Sequence, residues 1–281
     1  MDERILFGTA GTPHSSAERS SVEGIKRVRE LGLDAMELEF VRGVRMGRET
    51  AEEVKKTAEE NRVRLSVHAP YYINLNSLEA EKRTASIKRI YDSARVGYWA
   101  GAKIVTFHPA YYHKMKQEEV TSTVAKQLKE LVESLKKEGI DMLVAPETCG
   151  KKSQFGSLEE VLELCRRVKG LRPMIDFSHL HARCNGCLKE KQDFLKQLEL
   201  IKEADRSFLD ELQMHVSGIN YSEKGERNHL NLNESDFCYK GLLEALREKN
   251  VSGTIICESP NIEEDALLMK KYYKSLQIKK A

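Results

Sequence analysis

The chain has 281 residues, of which 40% are hydrophobic, and we expect residues 1–281 to form one large domain. Its 46 basic and 44 acidic residues nearly cancel, so the overall charge does not indicate a nucleic-acid partner. No apolar run approaches the roughly 20 residues that span a bilayer, and the opening segment MDERILFGTAG lacks the apolar stretch of a secretory signal. We therefore expect a cytoplasmic protein without a membrane partner.

A repeated unit runs through the chain: a short apolar or β-branched segment, a turn, and a long amphipathic segment rich in Glu and Lys. Strands are predicted at 5–11, 35–40, 65–70, 104–109, 142–148, 173–179, 212–218 and 254–260. Helices are predicted near 19–31, 49–61, 78–99, 117–138, 157–168, 189–203, 236–249 and 262–276. This alternation favours a parallel α/β sheet, and apolar runs such as IVTF and TIIC suit strands that are buried on both faces. Eight units without a linker favour a single (β/α)8 TIM barrel over the alternative, an open doubly wound sheet.

The cysteines point to a reducing compartment. Six Cys without a secretory signal are typical of the cytoplasm, where disulfides are unusual. Cys184 and Cys187 form a single CNGC motif. Because a structural zinc site needs about four ligands, one such motif is weak evidence for zinc, and we favour plain thiols over metal binding.

Residues of metal-ligand type stand at or just beyond the ends of the predicted strands, where barrel enzymes carry out their chemistry. The set is His68, His108, Glu147, Asp176, His179, His215, His229 and Glu258. One such His or Glu more often forms a hydrogen bond or caps a helix. Separate structural roles would not gather His and acids at the same end of six strands while excluding Lys and Arg. Buried acids are costly unless cations accompany them, so the joint pattern predicts bound metal ions.

The ligand types and their number indicate more than one ion. Imidazole and carboxylate suit zinc first, with manganese as an alternative. One zinc ion takes about four donors, or three in an open catalytic site, so eight candidates imply two ions and leave room for a third. A site with several metal ions can generate hydroxide and hold both the attacking and the leaving oxygens of a phosphodiester.

With these residues identified, the sequence resembles the endonuclease IV family of zinc-dependent apurinic/apyrimidinic endonucleases, which belong to the xylose-isomerase-like barrels. The likeness rests on the segments VHAPYYINL, TFHPA, PETCGKKSQFGS, IDFSHLHAR, QMHVSG, RNHLNL and CESP. Each segment is short and weakly specific, but their order and spacing between about residues 65 and 260 are highly specific.

The resemblance implies a role for each ligand candidate. The first zinc ion would be bound by His68, His108 and a bridging Glu147. The second would share Glu147 and add Asp176, His215 and Glu258, and a third would use His179 and His229. The implied activity belongs to base excision repair: a metal-bound hydroxide, oriented by the catalytic residue Glu147 or Glu258, attacks the phosphorus 5′ to an abasic site in duplex DNA.

One departure from the family concerns the third ion. The family's loop reads Asp-x-His, and the same spacing here gives Arg227, Asn228 and His229. Arg cannot ligate a metal ion, because its guanidinium stays protonated and has no acceptor. Either Glu226 or Asn228 replaces the Asp, or the third site is weak, or Arg227 contacts phosphate. We expect two firmly bound zinc ions and a compromised third.

Basic residues follow several strands and would share the rim of the barrel with the metal ions. They are Arg42, Arg45, Arg48, Lys151, Lys152, Arg183, Lys224 and Arg227. Phosphate contacts of this kind supply most nonspecific DNA affinity, although Lys and Arg are frequent throughout this chain. The resemblance places Tyr71 against distorted DNA, and an ordinary loop aromatic is the alternative. The expected partner is duplex DNA with abasic sites, bound by a monomer.

Two other functions stay open. The first is a metal-dependent sugar isomerase or epimerase, whose single metal ion could be held by Glu147, Asp176, His215 and Glu258. Such a site would not require His68, His108 or the pair His179 and His229. The second is a catalytically weakened protein that only binds abasic DNA. His113 and His181 fall outside the pattern and are expected to be bystanders.

Overall fold

The computed structural model describes residues 4–278, and within them eight parallel strands form one sheet. The strands are β1 Ile5–Ala10, β2 Ala35–Glu39, β3 Arg64–His68, β4 Ile104–Phe107, β5 Leu143–Pro146, β6 Met174–Asp176, β7 Leu212–Val216 and β8 Gly253–Cys257. They pair in the order β5-β4-β3-β2-β1-β8-β7-β6. Parallel bridges from Val144 to Leu171 and from Glu147 to Met174 connect the two edges. The sheet is therefore a nearly closed barrel, which confirms the predicted TIM-barrel fold.

Helices separate the strands and cover the outside of the barrel. They are α1 Ser21–Glu30, α2 Arg48–Asn61, α3 Ala80–Trp99, α4 Gln117–Lys137, α5 Leu158–Arg167, α6 Phe177–Arg183, α7 Lys191–Ala204, α8 Tyr239–Glu248 and α9 Glu263–Ile278. Local sequence explains where α5 begins, because Ser157 and Glu160 form a reciprocal capping box there. No helix within residues 4–278 is long and apolar enough to cross a membrane.

One predicted element is wrong. A strand was expected over 173–179, but β6 ends at Asp176 and α6 begins at Phe177. The side chain of Asp176 accepts the backbone N–H of His179 at 2.7 Å, so it caps the new helix and ends the strand. His179 consequently reaches the barrel mouth from the first turn of a helix, which period-two reasoning could not anticipate.

Side chains alternate along each strand between the helical layer and the barrel interior. In β2, Met36 and Leu38 belong to the hydrophobic core beneath the helices. Glu37 and Glu39 occupy the alternate positions and face inward. A small separate apolar group from β4, β5 and β6 lies in the interior: Ile104, Ala145 and Met174. The interior becomes polar toward the carboxyl ends of the strands, where the candidate ligands lie.

Candidate metal centre

The structure brings the eight candidate ligands together at the carboxyl ends of the strands, in three adjoining clusters whose members offer ligand atoms within 4.8 Å of one another. The first cluster is His68, His108 and Glu147. The second is Glu147, Asp176, His215 and Glu258. The third is His179, Glu226 and His229. The residues lie in the groups that the sequence proposed, with Glu226 added to the third cluster, and their binding of metal ions stays a prediction.

Glu147 lies where the first and second clusters meet and is fully buried. One oxygen, Oε2, is 3.2 Å from Nε2 of His68 and 3.4 Å from Nε2 of His108. The other, Oε1, is 3.2 Å from Nδ1 of His215 and 3.4 Å from Nδ1 of His179. Burial opposes ionisation, but the charges of His108 and His215 and the hydrogen bonds from His108 and His179 outweigh it and hold the pKa of Glu147 well below its usual range.

Backbone carbonyls orient three of the imidazoles. Nδ1 of His68 lies 2.7 Å from the Ala69 carbonyl, that of His179 lies 2.9 Å from the Thr148 carbonyl, and that of His229 lies 3.1 Å from the Glu258 carbonyl. Because a carbonyl oxygen can only accept, each Nδ1 must carry the proton in these contacts. In each neutral ring, Nε2 is then left with a lone pair for a cation.

The electrostatics of the clusters favour positive charge. Burial alone would lower the pKa of His68, but the hydrogen bond and charge of Glu147, with the charges of Glu39 and Glu37, raise it to about 10. Burial also acts to lower the pKa values of His215 and His179, but the neighbouring carboxylates outweigh it and raise both values well above their usual range. Protons therefore balance the buried carboxylates when no cation does.

The third cluster depends on an irregular hairpin between the strands Gly218–Ser222 and Gly225–Leu230. Asn220 faces Asn228 while Tyr221 faces Glu226, so Arg227 is an extra residue without a partner in the register. A β-bulge of this kind re-aims the neighbouring side chains. It leaves Arg227 exposed and places Glu226 with His179 and His229, 3.6 Å from Nε2 of His179.

Backbone contacts fix this hairpin against the loop that follows β5. Lys151 and Gly225 form an antiparallel bridge, and the N–H of Glu226 donates to the carbonyl of Gly150 at 3.1 Å. A Cβ atom on Gly225 would lie 2.2 Å from the Gly150 carbonyl oxygen, so the two loops approach too closely for a side chain there. Of the open alternatives for the missing Asp, Glu226 lies in the third cluster. The side chain of Asn228 is exposed, and it donates to the carbonyl of His229 and accepts from Nδ2 of Asn220.

Sequence reasoning missed two acids of β2. Glu37 is fully buried and contacts His215 and Ser66. Glu39 lies beside His68 in the register of β2 and β3. Burial and the charge of Glu37 raise the pKa of Glu39 to about 8. The signal was present in AMELE, where acids recur with period two in a strand that is otherwise apolar.

The first and third clusters open into a cavity of about 250 Å³ that is also lined by Tyr71, Tyr111 and Lys151. Tyr71 is 59% exposed, and the centroid of its ring lies 5.7 Å from that of His68. Arg42, Arg45 and Arg227 lie at the surface. These positions leave the predicted DNA contacts accessible from solvent.

Two predicted rim residues have other partners. Arg183 points inward and donates to the carbonyls of Cys149, Lys151 and Gln154, so it holds the loop after β5. Arg48 pairs with Glu52 and lies over the ring of Trp99 on the helical layer. Both guanidinium groups therefore have partners within the protein, and their contact with phosphate stays a prediction.

The two bystander histidines lie outside the three clusters. Nε2 of His181 is 3.1 Å from Oδ1 of Asp236, and Nε2 of His113 is 2.9 Å from Nδ2 of Asn74. The expectation of free thiols in the CNGC motif is wrong, because a disulfide joins Cys184 to Cys187. The motif's two middle residues form a tight turn that brings the sulfurs together, which cysteine counting alone does not reveal.

The fold and the three clusters define a TIM barrel with candidate metal sites at its catalytic face. The chain belongs to the xylose isomerase-like TIM barrel family, whose model matches residues 25–276.

Relatives in sequence include a protein that is named as an endonuclease. An uncharacterized protein of Methanocaldococcus jannaschii is 41% identical over 273 residues, with 97% of this chain and 98% of that protein covered. The "Probable endonuclease 4" of Aquifex aeolicus is 26% identical over 188 residues, with 64% of each chain covered. The chain is thus similar to a protein named as an endonuclease, at a distance that leaves the activity open.

Solved structures with a similar fold include both an epimerase-like protein and an endonuclease. A D-tagatose 3-epimerase-like protein superimposes with a TM-score of 0.74 at 21% identity, with 98% of this chain and 100% of that chain covered. Endonuclease IV from Thermus thermophilus gives a TM-score of 0.72 at 17% identity, with 97% of this chain and 99% of that chain covered. At these identities the likeness shows the fold alone.

Proposed function

We propose that this protein is a metal-dependent phosphodiesterase that cleaves duplex DNA on the 5′ side of abasic sites. The observation that carries the proposal is the presence of three adjoining clusters, with Glu147 shared by two of them. A chemistry that needs one cation would be served by the second cluster alone. Phosphoryl transfer can use several cations, because charge develops on both the attacking and the leaving oxygen.

The residues present fit divalent cations, and zinc above all. Each cluster combines at least one imidazole with at least one carboxylate, a donor set that zinc prefers. Oδ2 of Asp176 is buried without a hydrogen bond, because the nearby Nδ1 of His179, at 3.2 Å, donates to the Thr148 carbonyl instead. Such an oxygen suits a ligand atom for a cation. When bound, the cations would lower the pKa of a water molecule and neutralise charge on the phosphoryl oxygens.

The protein's own groups would position the substrate and the attacking water. Glu147 and Glu258 belong to the second cluster and would accept hydrogen bonds from that water. Lys151 at the cavity wall and the surface residues Arg42, Arg45 and Arg227 would contact phosphates. The exposed ring of Tyr71 would pack against the gap that a missing base leaves in the duplex.

The direct test is incubation of the purified protein with an end-labelled duplex that contains one abasic analogue. We expect a single cut 5′ to the lesion, lost with a chelator and restored by zinc or manganese. A matched duplex without the lesion is the control. Binding of the abasic duplex without any cut under these conditions would reject the nuclease and favour a weakened DNA-binding protein. That alternative depends on a missing third carboxylate, a position for which Glu226 is available.

A second candidate is a sugar isomerase or epimerase. It is favoured by the second cluster, which by itself offers four donors from four different strand ends or loops, and by the fold shared with an epimerase-like protein. This function predicts one exchangeable manganese or magnesium ion per chain and interconversion of ketohexoses. The same preparation can be assayed for both activities, and the number of bound cations separates them.

A further inference from the structure

In the register of β2 and β3, Glu39 pairs with His68 and Glu37 pairs with Ser66, two residues deeper in the barrel. Glu37 belongs to none of the three clusters. Its side chain is fully buried. Oε1 lies 2.7 Å from Nε2 of His215, and Oε2 accepts the hydroxyl of Ser66 at 2.6 Å. Such a buried carboxylate is costly to maintain unless it has a defined partner. Its partner here is Nε2 of His215, the ring nitrogen that faces away from the second cluster.

The contact distinguishes His215 from other imidazoles of the centre. His68, His179 and His229 use Nδ1 against a backbone carbonyl. Nε2 of His68 faces Glu147 and Nε2 of His179 faces Glu226, both of them members of the same clusters. His215 has the opposite arrangement: Nε2 faces Glu37, and Nδ1 lies 3.2 Å from Glu147 and 3.4 Å from Glu258. The ring is thus inverted, and a carboxylate takes the place that a backbone carbonyl has in the other three.

We propose that Glu37 is the positioning residue of the second cluster: it accepts the Nε2 proton of His215 and thereby directs the Nδ1 lone pair at the bound cation. An ionised carboxylate accepts only, so the proton between the two groups belongs to the ring. A hydrogen bond from a carboxylate fixes the tautomer and ring orientation of a ligating His and makes it a better donor. Ser66 in turn fixes the carboxylate. The inference depends on cation binding at the second cluster and not on phosphodiester cleavage.

The first test is zinc binding to chelator-treated protein, measured in competition with a chromophoric chelator. Glu37→Leu should weaken binding at one site about 10- to 100-fold. Glu37→Gln should weaken it less, because its amide oxygen still accepts the ring N–H. Ser66→Ala leaves Glu37 in place but removes the hydroxyl that fixes it, so it should weaken zinc binding measurably and less than Glu37→Leu. If Glu37→Leu does not fold, wild-type affinity in both Glu37→Gln and Ser66→Ala would overturn the proposal.

The matched control is Asp34→Asn, which removes a carboxylate just before the first residue of β2, the strand that also carries Glu37. Asp34 accepts the N–H of Phe7 and binds Lys270, and it lies in none of the clusters. This variant should lose stability and keep wild-type zinc affinity. Wild-type affinity in Glu37→Leu would overturn the proposal. An equal loss in Glu37→Gln and Glu37→Leu would also overturn it, because charge rather than the hydrogen bond would then be responsible.

The second test reads the ring directly. In ¹⁵N-labelled zinc-loaded protein, the shifts of His215 should identify Nε2 as proton-bearing and Nδ1 as the metal-bound nitrogen. The reverse assignment would overturn the proposal. If the protein binds zinc with this assignment but does not cut abasic DNA, the proposed function fails and the role of Glu37 stands. If wild-type protein binds no cation, both fail together.

Discussion

Glu147→Gln removes one negative charge, with little change in shape, from the point where the first and second clusters meet. The first cluster is then left with His68 and His108, two donors, whereas the second keeps three. An open catalytic zinc site needs about three protein ligands. The variant should therefore lose the cation of the first cluster, bind that of the second more weakly, and keep the third.

The expected magnitude follows from burial. Glu147 is fully buried, and removal of one partner from a buried charge pair costs about 3–5 kcal/mol. At about 1.4 kcal/mol per factor of ten, zinc affinity at the second cluster should fall by about two to three and a half orders of magnitude. Abasic-site cleavage should become undetectable while the fold persists.

The assay is zinc content after dialysis, measured by elemental analysis together with circular dichroism and cleavage of the labelled duplex. The matched control is Glu160→Gln. Glu160 is also buried but caps α5 through the N–H groups of Gly156 and Ser157, outside the clusters. It should keep all its zinc. Full zinc content or normal cleavage in Glu147→Gln would refute the assignment of Glu147 as a shared ligand.

Four further predictions concern the third cluster, pH and DNA. Glu226→Ala should lower the number of bound zinc ions by one, whereas Arg227→Ala should not. Equal zinc content in wild type and Glu226→Ala would refute the role of Glu226. We expect the third cluster to bind zinc most weakly, because Glu226 and His229 are partly exposed. The pKa of His68 is raised to about 10 in the folded protein. Its contribution to the stability of zinc-free protein should therefore be complete below about pH 6.5 and lost as the pH rises toward 10. Urea unfolding of wild type and His68→Gln with chelator present, at about pH 6, 8 and 10, measures this contribution, and an increase with pH in the difference between their free energies of unfolding would contradict the prediction. For the same reason zinc binding near pH 7 should release protons, seen by calorimetry as a dependence on buffer ionisation enthalpy. Lys151→Ala should weaken abasic-duplex binding at low salt and reduce the salt slope by about one; an unchanged slope would exclude a phosphate contact.

Much of this architecture could be predicted because it depends on local patterns. The alternation of apolar strands with amphipathic helices predicted the barrel. The prediction for β6 was wrong only where Asp176 ends the strand by capping α6. The side chains at strand ends could be grouped because parallel strands in a barrel deliver their carboxyl ends to one face. Strand direction alone predicts that His68, Glu147 and Glu258 lie close together, and the structure places them in the first two clusters.

The rest required the folded chain. The sequence alone determined that imidazoles and carboxylates gather at the mouth of a barrel, because periodicity and strand direction are local properties. Only the tertiary structure decided that Glu226 rather than Arg227 faces His179, because a bulge changes which face a side chain takes without changing the residues themselves. Only it decided that Glu37 lies against His215, because the two residues are 178 positions apart and meet through the closure of the barrel.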